Sequence, residues 1–180
     1  MSAGARWSRA QRWSHQLSGA AILAALVGAI VMNRLVSDQG LRFMLYQVHK
    51  TLGIVALVLV LWRIGVRMRM PLPTPIRPAW QNSLSVATHR LLYVLIFIIP
   101  LTGWAMISAS PLKIPTRIFG LVPLPDILPT SLPLYLALLK AHAWLGWALG
   151  AVLVLHITGA LAHVRDGTFA SIWRAPRPPV

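Results

Sequence analysis

The chain has 180 residues, of which 57% are hydrophobic and only 11% charged, with a mean hydropathy of +0.67. A soluble domain carries about 25% charged residues; a chain this apolar would expose too much oily surface to stay in solution, and it reads as one integral membrane domain spanning residues 1–180. The balance of 17 Lys and Arg against three acids gives a net charge of +14, but these basic residues sit between long apolar runs rather than along one stripe, so anionic lipid head groups account for them and nucleic acid is excluded as a partner.

Four apolar segments are long enough to cross a bilayer, which takes about 20 helical residues. The first spans about 13–32, behind the basic MSAGARWSRAQRW, which reads as a membrane flank because three further spans follow. Residues 33–47 are expected to form a short polar link. The second span covers about 48–66. MPLPTPIRPAW after it cannot continue a helix, since proline lacks the N–H and clashes with the preceding turn. The third span covers about 86–108, and the proline-rich stretch 110–133 is expected to be a loop. The fourth, about 134–163, is the longest and is expected to tilt or project. The tail RAPRPPV reads as disordered. Absence of Cys excludes disulfides and Cys-ligated clusters. The expected fold is an all-α, up-down, four-helix membrane bundle. Placing both termini in the cytoplasm puts eleven of the 17 basic residues inside and six outside, as the positive-inside rule prefers.

All six histidines, His15, His49, His89, His142, His156 and His163, fall in or at the ends of these spans. An ionisable group there is expensive and is a functional hypothesis by default. Any one alone is more simply a head-group anchor or a helix-packing residue. Six together are not, and without carboxylates in the span interiors they do not resemble a proton or metal pathway. In this orientation His15 and His89 lie at inner helix ends, and His49 and His142 at outer ends. His156 follows His142 by 14 residues, close to four turns, so it lies on the same face about 21 Å deeper. His49 can then meet His142 at the outer level and His15 can meet His156 at the inner level. Two bis-histidine haems stacked across the bilayer fit this arrangement.

Gly19, Gly53 and Gly146 follow His15, His49 and His142 by four residues, and Gly159 follows His156 by three. Each removes a side chain from the ligand face one turn along, where a flat macrocycle needs room; the alternative is ordinary close packing of helices on small residues. His89 and His163 are candidates for an alternative inner ligand or a quinone contact. Haem propionates would find Arg12, Arg90 and Arg165 on the inner side and Arg42, Lys50 and Lys140 on the outer side, although interfacial anchoring explains any one of these. A quinone could sit near His163 and Trp173, or in an outer pocket near Trp144. The other tryptophans fit an aromatic belt.

RWSHQLSGAAI, YQVHKTLGIVALVLVLWRI, HRLLYVLIFIIPLTGWAM and KAHAWLGWALGAVLVLHITGALAH, with PLPTP after the second, occur in that order. In these pieces the chain resembles the bacterial cytochrome b-561 family of four-helix, di-haem membrane proteins over nearly its whole length. No single motif is decisive; order, spacing and flanks agree. The resemblance implies two haem b groups in a bacterial inner membrane protein, with His15 paired to His156 and His49 to His142 as axial ligands, and electron exchange with ubiquinone. One branch looks like a superoxide oxidase, in which periplasmic superoxide gives its electron and quinone is reduced; Arg42, Lys50, Lys113 and Lys140 would draw in that anion. The apolar, proline-rich loop departs from the family and would suit a periplasmic electron donor or partner redox subunit. The expected function is therefore an oxidoreductase or a pure electron carrier. The alternatives are an anchor subunit for a dehydrogenase or hydrogenase, and a haem-free transporter, which the paucity of acids opposes.

Overall fold

The computed structural model describes residues 7–70, 78–162, 164 and 173. Four long helices account for most of them: α1 (Arg9–Arg34), α2 (Gln39–Arg69), α3 (Ala79–Ala109) and α4 (Leu132–Ala162). All four are long and apolar enough to cross a membrane. The protein is an all-α four-helix membrane bundle, as expected.

The helices outrun the apolar spans because their ends are set by capping groups rather than by hydropathy. Ser8 and Gln11 form a reciprocal capping box on α1, Gln11 N–H donating to Ser8 Oγ at 3.1 Å and Ser8 N–H to Gln11 Oε1 at 2.8 Å. Asp38 accepts from Leu41 N–H at 2.7 Å and starts α2, so the expected link over 33–47 shrinks to residues 35–38. Pro78 precedes α3. Pro133 lies in the first turn of α4, where its missing N–H costs nothing. Helices α2, α3 and α4 have 31 residues each, about 46 Å of rise against a hydrocarbon core of about 30 Å. The fourth helix is thus no longer than the second or third, and all three project.

This corrects the place along the helix expected of three histidines. His49, His89 and His142 each stand ten residues inside their helices rather than at the ends. His15 lies six residues into α1, and His156 lies six residues before the end of α4.

Residues 110–131 are more ordered than a loop. Strands β1 (Arg117–Ile118) and β2 (Val122–Pro123) pair antiparallel. Phe119 and Gly120 turn between them with positive φ of 52° and 74°. The hairpin is tied to α2 by Thr51, whose Oγ1 donates to the Arg117 carbonyl and accepts from Phe119 N–H. Trp104 Nε1–H donates to the Pro125 carbonyl at 2.9 Å and Ile127 N–H to Ser108 Oγ at 3.2 Å, fastening the rest to α3. The hairpin closes one end of the bundle; the start of α1 and the end of α4 lie at the other, the terminus end.

Packing is inside-out relative to a soluble bundle. Less than a quarter of each candidate span is buried, and only 6% of that in α4. Side chains such as Val27, Val58, Val94 and Val154 face outward, toward lipid. The buried core is small: Ala21 and Ile22 from α1, Ala56 and Val60 from α2, Leu92, Leu95 and Ile96 from α3, and Leu149 from α4. With no hydrophobic drive between helices in lipid, close van der Waals contact must hold this seam. Leu149→Ala is expected to cost about 2–5 kcal/mol by opening a cavity, read as a lower thermal midpoint in detergent. Leu155→Ala, on the outward face of the same helix, is expected to leave the midpoint near wild type.

Candidate functional site

A seven-residue spacing organises the bundle. In α1 His15 is followed by Ile22, in α2 His49 by Ala56 and Arg63, in α3 His89 by Ile96 and Gly103, and in α4 His142 by Leu149 and His156. Seven residues are close to two turns, so each set lies along one helix stripe. Ile22, Ala56, Ile96 and Leu149 are at most 6% exposed and form the middle of the core. Above and below them the polar members gather in two levels, one toward the hairpin and one toward the termini.

At the hairpin level the His49 and His142 rings stand 6.1 Å apart, edge to face. Each has one nitrogen fixed by a backbone carbonyl of another helix. His49 Nδ1–H donates to the Ala25 carbonyl of α1 at 3.0 Å, and His142 Nδ1–H to the Ile99 carbonyl of α3 at 3.1 Å. Thr102 Oγ1 lies 3.2 Å from the same His142 nitrogen. This donation sets the tautomer and leaves Nε2 as a lone-pair donor in both rings, the arrangement that metal-bound histidines use. Gly103 is a residue that sequence reasoning missed. A Cβ built there would lie 3.0 Å from His142 Cε1, so any side chain at this position would press on the ring. Its signal was its place 14 residues from His89.

At the terminus level His15 and His156 are also 6.1 Å apart. His89 is nearer, 5.1 Å from His156, with its Nδ1–H donated to the Ser85 carbonyl at 2.6 Å. His15 Nδ1 is one of two buried side-chain polar atoms without a hydrogen-bond partner among the described residues, the other being Gln47 Oε1. A buried imidazole nitrogen left unpaired costs about 1–3 kcal/mol. The second missed residue is Arg63, whose guanidinium lies 5.3 Å over the Tyr93 ring and within electrostatic reach of His15 and His156. An arginine inside an apolar span was its signal.

Both pairs fit a haem. With metal–nitrogen bonds of about 2.0–2.1 Å and imidazole centroids about 1.1–1.2 Å behind the nitrogen, two rings on one metal stand about 6.4 Å apart. The glycines agree. A Cβ added at Gly19, Gly53, Gly146 or Gly159 would meet nothing within 4 Å, whereas helix–helix packing on small residues would place a neighbour there. Gly19, Gly53 and Gly146 are half-buried and Gly159 is exposed; half-buried Gly28 and Gly65 have the same clearance, so it is the one-turn offset from a histidine that marks the first three. Among the described residues no group of three or more His, Cys, Asp or Glu is placed to hold a bare metal ion.

The other candidates are scattered. Arg12 is buried one turn before His15, and Lys50 is half-buried beside His49. Arg90 and Lys140 are exposed beside His89 and near His142. Arg42 spends its guanidinium on the Val36 carbonyl, and Lys113 pairs with Asp126 at 3.5 Å. Trp144 and Trp173 are exposed. His163 and Arg165 lie outside the described residues. A shallow cleft lies instead beside the hairpin, lined by Phe43, Gln47, Ile114, Pro115, Arg117 and Gly120.

A family model described as prokaryotic cytochrome b561 matches residues 6–175. No curated protein matches the chain. Gly103→Val is expected to push His142 off the Ile99 carbonyl and to lower the bound haem, read as pyridine haemochrome per chain; Gly103→Ala should cost less, because a methyl group asks only a few tenths of an ångström of the ring.

Proposed function

From the premise that the chain belongs to the prokaryotic cytochrome b561 family, and is therefore a multi-pass haem b electron-transfer protein of the bacterial inner membrane, we propose that it carries two haem b groups and passes electrons between a donor at the hairpin end and ubiquinone. The observation that carries the two-haem reading is the repeated 6.1 Å ring separation, His49 with His142 and His15 with His156. Each histidine pair would hold one haem, which would supply reversible one-electron chemistry, and ligation by two histidines would favour electron transfer over oxygen binding.

The protein's own part is to hold and tune. The Ala25 and Ile99 carbonyls orient His49 and His142 and raise their basicity through the donated N–H. The layer of Ile22, Ala56, Ile96 and Leu149 keeps water from connecting the levels. His89 stands closer to His156 than two ligands of one iron would, so its role is beside the ligand rather than in place of it. Basic residues toward the termini, Arg12 and Arg90, would supply cations for propionates, while Lys50 and Lys140 toward the hairpin would serve either a propionate or an incoming anion. Both termini are placed in the cytoplasm by the basic-residue bias, which makes the hairpin periplasmic.

Superoxide is the donor this arrangement suits. Lys50, Lys140 and Arg117 are cations near the hairpin end, where Lys113 is already paired, and a basic mouth raises the local concentration of a small anion. The competing reading is an anchor subunit for a dehydrogenase or hydrogenase. It is favoured by the hairpin tip, where Phe119 and Leu121 are 73% and 77% exposed; a redox subunit that copurifies with the chain would decide for it.

Purified in detergent, the protein is expected to show two haem b per chain in a pyridine haemochrome assay, and one each in His49→Ala and His156→Ala. A colourless folded protein would overturn the reading. Lys50→Gln with Lys140→Gln is expected to slow reduction by superoxide several-fold at low salt and to flatten its salt dependence; an unchanged rate and slope would remove superoxide as the donor.

A further inference from the structure

The two levels differ in charge as well as in position. At the hairpin level the stripes of α2, α3 and α4 present His49, Gly103 and His142. Fourteen residues along, the same stripes present Arg63, His89 and His156. Arg63 therefore occupies, at the terminus level, the place on α2 that a haem ligand occupies at the other. It is half-buried, six residues from the end of α2, and its described neighbour is the neutral face of Tyr93 at 5.3 Å, with Arg67 over the same ring at 5.7 Å.

Acids are few. Asp38 caps α2 and Asp126 pairs with Lys113, both at the hairpin end, while Asp166 lies outside the described residues. No Asp or Glu falls anywhere between residues 39 and 125. A guanidinium cannot shed its proton at accessible pH, so the charge of Arg63 is permanent, and in a low-dielectric span it acts over a distance that water would screen.

Resting on the two-haem reading, we infer that Arg63 is the fixed charge that holds the terminus-level haem at a higher reduction potential than the hairpin-level haem, so that electrons run from the hairpin end toward the termini. The balance is simple. Reduction of a bis-imidazole ferric haem adds one electron and removes one positive charge, with no bond made or broken. A neighbouring cation disfavours the more positive, oxidised state and so favours reduction. At the hairpin level Lys50 stands half-buried next to His49 in the chain, but the heptad stripes facing the pair carry Gly103 and no cation, and the Ala25 and Ile99 carbonyls that hold the two rings favour the oxidised state.

Potentiometric titration of the holoprotein, followed optically, tests this. In Arg63→Gln and Arg63→Met, with two haems still bound, the reduced-to-oxidised ratio of the terminus-level haem is expected to fall about tenfold or more at fixed potential, equivalent to about 59 mV. The hairpin-level haem should move much less, and Arg63→Lys should stay near wild type. Haems are assigned by the single-haem variants His49→Ala and His156→Ala. The inference is overturned by an unmoved midpoint in Arg63→Gln, by a fall in Arg63→Lys as large as in Arg63→Gln, or by loss of the terminus-level haem from Arg63→Gln, which would make Arg63 a propionate anchor. A wild-type protein without haem would instead overturn the reading on which the inference rests.

Discussion

The fold depends on keeping one stripe of each helix in register with the other three. Seven residues fall about 20° short of two full turns, so a stripe can hold polar, apolar and polar members at successive heptads while still facing the bundle axis. His49, Ala56 and Arg63 do so on α2, and His142, Leu149 and His156 on α4. In lipid the outward faces cost nothing to leave apolar, as exposed Val58, Val94 and Val154 show. The identity of the inward stripe is then the part of each helix that packing and chemistry both constrain. A one-residue insertion within α4 would rotate His142 or His156 by about 100° out of its pair.

Much of this was legible in the sequence, and the unread part has a physical reason. Hydropathy located four spans because membrane helices are apolar nearly all round, and the 14-residue separation of His142 and His156 gave both levels. Hydropathy could not give the helix ends. Asp38 and the Ser8–Gln11 box act through hydrogen bonds that a transfer scale does not see, so α2 begins nine residues before the expected span, and His49 and His142 lie deeper than a helix end. The hairpin at 117–123 was hidden because its strands are two residues each, and their pairing depends on Thr51, 66 residues away from Arg117. The Ala25 and Ile99 carbonyls were invisible for the same reason: a backbone acceptor has no letter in the sequence. Arg63 and Gly103 were in view, but they fall into line only when the stripes of α2 and α3 are laid beside that of α4.

Glycine has two jobs in this bundle, and the structure separates them. Gly103 is a contact glycine, since a methyl group there would press on His142. Gly19, Gly53 and Gly146 are clearance glycines, with nothing within 4 Å of the missing Cβ. Gly28 and Gly65 have the same clearance, so open space alone does not single these three out; their offset of one turn from a histidine does. Three half-buried positions without a side chain, each one turn from a histidine, are compatible with a flat group lying against those helix faces.

The asymmetry between the levels follows from the same economy. At the hairpin level both imidazoles donate to carbonyls, which are dipoles with the negative end toward the ring. At the terminus level His156 has His89 and Arg63 near it, and His15 has one ring nitrogen without a partner among the described residues. Carbonyl dipoles favour extra positive charge on the ligands they hold; a guanidinium opposes it. On the two-haem proposal, two histidine pairs with the same 6.1 Å ring spacing would thereby be set apart by their surroundings. The seam of Ile22, Ala56, Ile96 and Leu149 between them keeps the dielectric low enough for that difference to persist. A polar residue in this layer would shrink the difference, because water drawn to it would screen Arg63 from the pair it faces. On that proposal the apolar middle heptad would serve the tuning as well as the packing.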